Sequence, residues 1–171
     1  KVVARAALAV TAHILDSDQK KAKFWIAFQG KLLEYANEAI RETADSLSDE
    51  RTTSKEDMEA KYYRVLGSSM AMIQHLLPTI KDDEYPDELK RFFNADTLWT
   101  IAASEDASVR RAFYQLVASY LDNRPSLLEP KLKDVGKVLV VESPKKDQRG
   151  SAVDLFRALI SVTKRFPKVW G

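Results

Sequence analysis

The sequence predicts an all-α chain built from antiparallel helix pairs. Three observations carry this. Apolar residues recur at three- and four-residue steps along most of the 171 positions. Gly is scarce, at five residues. No segment sustains the alternation of β-branched residues that a half-buried strand needs. "GKVLVVES", residues 136–143, is the one strand-like run, and between helical neighbours it is expected to form a short buried helix.

Residues 1–15 place Val3, Ala7, Val10 and Ile14 on one stripe of a first helix. "DSD" at 16–18 supplies turn and cap chemistry, because short side-chain oxygens accept the free N–H groups of the helix that follows. That helix is expected over about residues 20–47, with Phe24, Phe28, Leu32, Tyr35, Ala39, Thr43 and Leu47 along one face and a bend at Gln29–Gly30. "SKED", residues 54–57, resembles a capping box and opens a third helix. Its stripe is Met58, Tyr62, Val65, Ser69, Met72 and Leu76, and Pro78 closes it. An acidic, proline-bearing loop follows at 81–88, with a short turn through "LKRFF".

From residue 94 the elements shorten and repeat. A helix through "DTLWTIAAS", a turn, the helix "ASVRRAFYQLVASYL" and "NRP" make a first round. "KLKDVGKVLVV", a loop and "AVDLFRALISVTKRFP" make a second. A shift of 42 residues lays Trp99 on Val141, Phe113 on Leu155, Tyr114 on Phe156, Val117 on Leu159 and Pro125 on Pro167. Two helices in a period of roughly 40–47 residues is the spacing of HEAT and armadillo solenoids. The expected core between layers is Phe113, Leu116, Val117, Leu155, Leu159 and Val162. The organisation expected is one helical-repeat region over 1–171, with longer helices over 1–80 and two HEAT-like pairs over 94–171. Both ends fall inside apolar runs, so the chain is expected to be a piece of a longer one.

The turn "EDASVRRA" has a physical reading at each position. Asp106 caps the second helix and sits at its positive dipole end. Val109 points into the pair, Arg110 or Arg111 reaches an acid or a carbonyl of the neighbouring repeat, and Ala112 lets two helices approach. These are structural roles. A stack of such units exposes a surface and performs no chemistry by itself.

Composition narrows the function classes. With no Cys, disulfides, thiolate nucleophiles and thiolate zinc sites are excluded from these residues. His13 and His75 lie on separate helices and read as packing or surface residues rather than a shared metal or acid–base pair. Ser68, Ser69 and Ser104 have no His and acid at a triad spacing. Trp25, Trp99 and Trp170 sit among apolar neighbours, which favours packing over base stacking. "KKDQRG", ending at Gly150, is not a glycine-rich phosphate loop. No run approaches the ~20 apolar residues of a membrane span, and the chain reads as cytoplasmic, with no cofactor, membrane or small-molecule substrate. The net charge of +2 is uneven, with ten basic and four acidic residues over 131–171. Lys145, Lys146 and Arg149 in a loop, and Lys164, Arg165 and Lys168 at the far end of the next helix, are the candidate binding residues. They read either as solvated surface or as contacts to phosphate.

"DTLWTIAASEDASVRRAFYQLV" with "NRP", the later "ALISVTKRFPKVW", and upstream "KFWIAFQGKLL" and "KYYRVLGSSM" resemble the N-terminal helical-repeat region of the listerin family. These are RING-type ubiquitin ligases of ribosome-associated quality control. The resemblance implies a rod that clamps the large ribosomal subunit carrying a stalled nascent chain, beside quality-control cofactor proteins and ribosomal RNA. It also implies a catalytic RING at a distant C-terminus, since no Cys is available here to build one. The alternative is a generic HEAT-repeat adaptor or transport protein that holds cargo peptides on its concave face.

Overall fold

The computed structural model describes residues 18–48, 55–94, 99, 104 and 106–171. Every regular element among these residues is helical. The chain divides into two compact units, Lys1–Leu98 and Trp99–Gly171, each described by itself below.

In the first unit, α1 (Asp18–Ser48) packs along α2 (Lys55–Leu76) and against α3 (Pro86–Asn94). Leu33 and Ala36 of α1, Leu66, Met70 and Ile73 of α2, and Leu89, Phe92 and Phe93 of α3 are fully enclosed. Full burial of a side chain of this kind is worth ~1.5–3 kcal/mol. Pro86 opens α3 with a preset φ, and Asp87 and Glu88 in its first turn and Arg91 in its last complement the helix dipole.

The expected face of α1 is in a different register. Leu32 and Ala39 are buried, but Phe28 is exposed, Tyr35 is half-buried, and Trp25, Leu33, Ala36 and Ile40 complete the inner face. Steps of four residues advance about 40° past a full turn each time, so a stripe counted 24, 28, 32 rotates off the true face. The side chains of Phe24, Thr43 and Leu47 lie outside the described residues. On α2, Ser69, Met72 and Leu76 are buried and Val65 is half-buried; Met58 and Tyr62 lie outside the described side chains.

The helix α1 is continuous through Gln29–Gly30. Both residues serve packing. Gln29, buried, donates from Nε2 to the Thr79 carbonyl at 2.7 Å, in the turn Leu77–Thr79 that ends α2 at Pro78. A Cβ on Gly30 would stand 3.1 Å from the hydroxyl of Tyr85. Tyr85 itself occupies the left-handed region at φ 52°, a costly backbone for a ring-bearing residue. The missing Cβ of Gly30 leaves room for that ring.

In the second unit, α4 (Ala107–Asn123) and α7 (Ala152–Arg165) form the main contact. Between them run α5 (Pro125–Leu128), α6 (Leu132–Gly136) and a π turn over Lys137–Glu142. A 3₁₀ turn, Pro167–Trp170, follows α7. Phe113, Leu116, Val117, Leu155 and Val162 are buried, joined by Tyr120, Leu121, Leu128, Val135, Leu139 and Ala158. Leu159, expected in the core, is only half-buried. Residues 136–143 are helical, but only in part enclosed: Val138 and Leu139 point in while Val140 and Val141 stand half exposed. Pro125 closes α4, whose last bond runs from the Arg124 amide to the Tyr120 carbonyl at 2.7 Å. Of the expected helix through "DTLWTIAAS" only Trp99 and Ser104 are described, and the expected helix at 1–15, with His13, lies outside the described residues.

Candidate functional site

The entry to α4 is built from its own side chains. Asp106 caps the helix, accepting the Ser108 amide at 2.8 Å and the Ser108 hydroxyl at 2.6 Å. The Ser108 hydroxyl, and then the amides, hold the Asp106 carboxyl below its ordinary value. The Asp106 amide in turn donates to the buried Ser104 Oγ at 3.1 Å.

Val109 is buried, and the two arginines part company. Arg110 is 1% exposed. It donates to the Ser104 carbonyl at 2.7 Å and to the Asp147 carbonyl, tying the turn before α4 to the loop before α7. Arg111 lies on the surface and donates from Nε to Asp154 Oδ2 at 2.9 Å. Asp154, 6% exposed, also accepts from Gln115 Nε2 at 3.1 Å. Asp154 was not singled out in the sequence; the only signal was an acid in the first turn of a helix whose neighbours are apolar.

The six candidate cations fall into two different electrostatic settings. In the loop, Lys145 pairs with Glu142 at 3.2 Å, and Arg149 grips Asp147 with Nε at 2.8 Å and Nη2 at 2.5 Å. Arg149 holds the Asp147 carboxyl at about 2 and is itself raised by it. Lys146 is half-buried. Gly150, at φ 89°, makes the turn behind this cluster possible.

Lys164, Arg165 and Lys168 are exposed and make no ion pair among the described residues. They stand where the dipole of α7 favours cations, and residues 155–171 contain no acid. Beside them Trp170 donates from Nε1 to Thr163 Oγ1 at 2.9 Å and lies over Gly136. A cleft of about 850 Å³ on the outer side of α7 is lined by Val153, Phe156, Ile160, Arg157, Lys164 and Arg165, with Asp122 as its one acid.

The remaining candidates have structural occupations. Trp25 is buried and stacks on the exposed His75 at 5.9 Å. Trp99 meets Phe113 edge-on at 5.7 Å, with the Lys131 ammonium 5.9 Å above it. Ser68 and Ser69 donate to the carbonyls of Arg64 and Val65, at 3.0 and 2.9 Å. Among the described residues no cluster of His, Asp and Glu is grouped to hold a metal ion, and no helix is long and apolar enough to cross a membrane.

A sequence model described as "E3 ubiquitin-protein ligase listerin, N-terminal domain" matches residues 1–171. The chain is 92% identical over all 171 residues to the E3 ubiquitin-protein ligase listerin of Neurospora crassa, covering 11% of that protein. It is 30% identical over 101 residues to the listerin of Saccharomyces cerevisiae and 28% identical over 92 residues to that of Xenopus tropicalis. Those matches take in 57% and 52% of this chain and 6% and 5% of the relatives. No solved structure matches it. A chain helical in every described element and matched from its first residue to its last, with a near-identical fungal counterpart, belongs to the family of listerin N-terminal domains.

Proposed function

We propose that the chain is a non-catalytic, HEAT-like scaffold section of a RING-type ubiquitin ligase, and that it engages the large ribosomal subunit and its quality-control cofactor proteins in the cytoplasm. Ubiquitin transfer to stalled nascent chains belongs to another part of the same polypeptide, because a RING needs zinc thiolates and this chain has no Cys. The observation that carries the reading is the unneutralised basic end of α7. Lys164, Arg165 and Lys168 make no ion pair among the described residues and stand beside Trp170, with Asp122 the one acid lining the cleft next to them, in a chain whose relatives are listerins. Cations held this way meet phosphates of ribosomal RNA without reading sequence. The loop cations are weaker candidates, since Lys145 and Arg149 would first have to release Glu142 and Asp147.

Co-sedimentation with large ribosomal subunits across a salt series tests this. Each phosphate neutralised contributes a slope of roughly −0.7 to −0.9 in log affinity against log salt. Lys164→Glu, Arg165→Glu and Lys168→Glu together are expected to abolish most of the association and flatten the slope, and the triple reversal of Lys145, Lys146 and Arg149 to do less. Binding that ignores both salt and these changes would make the contact one between proteins, and would shift attention to the exposed acids Asp82 and Asp83.

A further inference from the structure

Ser143 is the one Ser or Thr of the chain that Pro follows, and two lysines come next, in "SPKK" at 143–146. A groove that offers no acceptor to the amide after a reacting hydroxyl favours Pro there, since Pro has no N–H. An acidic rim favours the lysines. Proline-directed protein kinases recognise such a segment. In the structure Ser143 opens the 3₁₀ turn Ser143–Lys145, in the loop between the π turn and α7. Pro144 and Lys145 are exposed, yet Ser143 is fully enclosed, and its Oγ has no hydrogen-bond partner among the described residues. The other buried serines are all engaged: Ser69 donates to the Val65 carbonyl, Ser104 accepts the Asp106 amide, and Ser151 donates to Gln148 Oε1. An enclosed hydroxyl without a partner gives up its hydration for nothing. Packing alone gives no reason for a serine at 143.

We propose that Ser143 is a phosphorylation site for a proline-directed protein kinase, and that its enclosure makes the modification a switch for the loop between the π turn and α7. The loop is closed by few and mostly local bonds. The Ser143 carbonyl accepts the Lys146 amide at 3.0 Å and Gln148 Nε2 at 2.5 Å, and Arg110 reaches the Asp147 carbonyl. A segment held this way opens without the rest of the domain. Once it opens, Oγ attacks the γ-phosphorus of ATP. The Oγ–P bond forms as the bond to the β-phosphate oxygen breaks, ADP leaves, and the hydroxyl proton passes to the base of the kinase. The product carries about −1.5 to −2 charges, which cannot return to an enclosed position. Outside, it competes with Glu142 for Lys145 and with Asp147 for Arg149. The loop is then held open, and Arg110 loses one of its two carbonyls. Ser143 precedes α7, whereas the cations assigned to ribosomal phosphate follow it, so the two roles are read separately.

Incubation with a cyclin-dependent protein kinase and ATP tests the assignment. The substrates are the full-length protein, its Gln148→Ala variant, and a free peptide of residues 140–150 as the unstructured reference. Mass spectrometry locates the phosphate, and hydrogen exchange follows the amides of 142–151. Ser143 is expected to be phosphorylated in all three, fastest in the peptide. Gln148→Ala, with one bond closing the loop removed, is expected to react roughly 2–10-fold faster than the wild type. The Lys146 and Ser151 amides are expected to exchange faster once the phosphate is in place. A full-length protein left unmodified at Ser143 while the peptide reacts would overturn the proposal, as would a peptide that the kinase ignores or a phosphorylated loop that exchanges like the unmodified one.

Discussion

Replacing Arg110 with Ala is expected to loosen the second unit more than any other single surface-to-core change in α4. The guanidinium is enclosed and donates to two carbonyls, Ser104 at 2.7 Å and Asp147. A hydrogen bond from a charged donor contributes ~1.5–3 kcal/mol. The Ser104 end is buried and takes the upper part of that range, whereas the Asp147 end borders solvent and is screened. The sum is about 3–4 kcal/mol, or roughly 12–32 °C in melting temperature for a unit the length of Trp99–Gly171. Arg110→Met keeps the apolar stem and isolates the polar part, so it is expected to recover about 1 kcal/mol of the loss. Calorimetry reads the shift, and hydrogen exchange at the amides of 106–110 and 147–151 locates it. A loss below about 1 kcal/mol in Arg110→Ala, or wild-type stability in Arg110→Met, would refute the reasoning, because the carbonyls would then be satisfied without the arginine.

Two further outcomes follow from the same contacts. Asp154→Ala and Arg111→Ala, alone and combined, are expected to show a coupling of only about 0.5–1 kcal/mol, because Arg111 is more than half exposed and solvent screens the pair; chemical denaturation of the four proteins measures it, and additive losses would mean that Asp154 is held by Gln115 and Arg157 without Arg111. The Asp147 carboxyl, held down to about 2 by Arg149, is expected to return toward 3.8 in Arg149→Ala. Since its folded value lies below the ordinary one, the pair contributes fully above about pH 4 and is lost as pH falls through about 2; carbon-detected NMR titration follows the carboxyl directly.

The turn before α4 was legible because its residues act locally. Asp106 caps the helix two residues from its partner, and an arginine three or four residues later has few places to go. The inner faces were less legible. On α1, apolar residues occupy two neighbouring stripes, and the choice of Trp25, Leu33 and Ala36 over Phe28 and Tyr35 is made by α2 and α3, which no count along α1 contains. Charge follows another rule. Lys145 and Arg149 carry their neutralising acids three and two positions away, Glu142 and Asp147, a local signal that a count of basic residues over 131–171 passes over, whereas Lys164 and Arg165 have no such neighbour. Asp154 was illegible for the opposite reason: its partners lie 39 and 43 positions away.

The π turn at Lys137–Glu142 gives the second unit an uneven tolerance to changes of length. Its bonds span one residue more than those of an α-helix, so the segment holds a residue in surplus. Losing one position there lets the turn relax to ordinary α geometry, with the adjustment confined to Val140 and Val141, which already face solvent. Losing one position in α4 ahead of Arg110 has no such reservoir. It turns the guanidinium by about 100° and parts it from both carbonyls at once. Related chains are therefore free to differ in length around 137–142 and are bound to a constant count between the cap at Asp106 and Arg110.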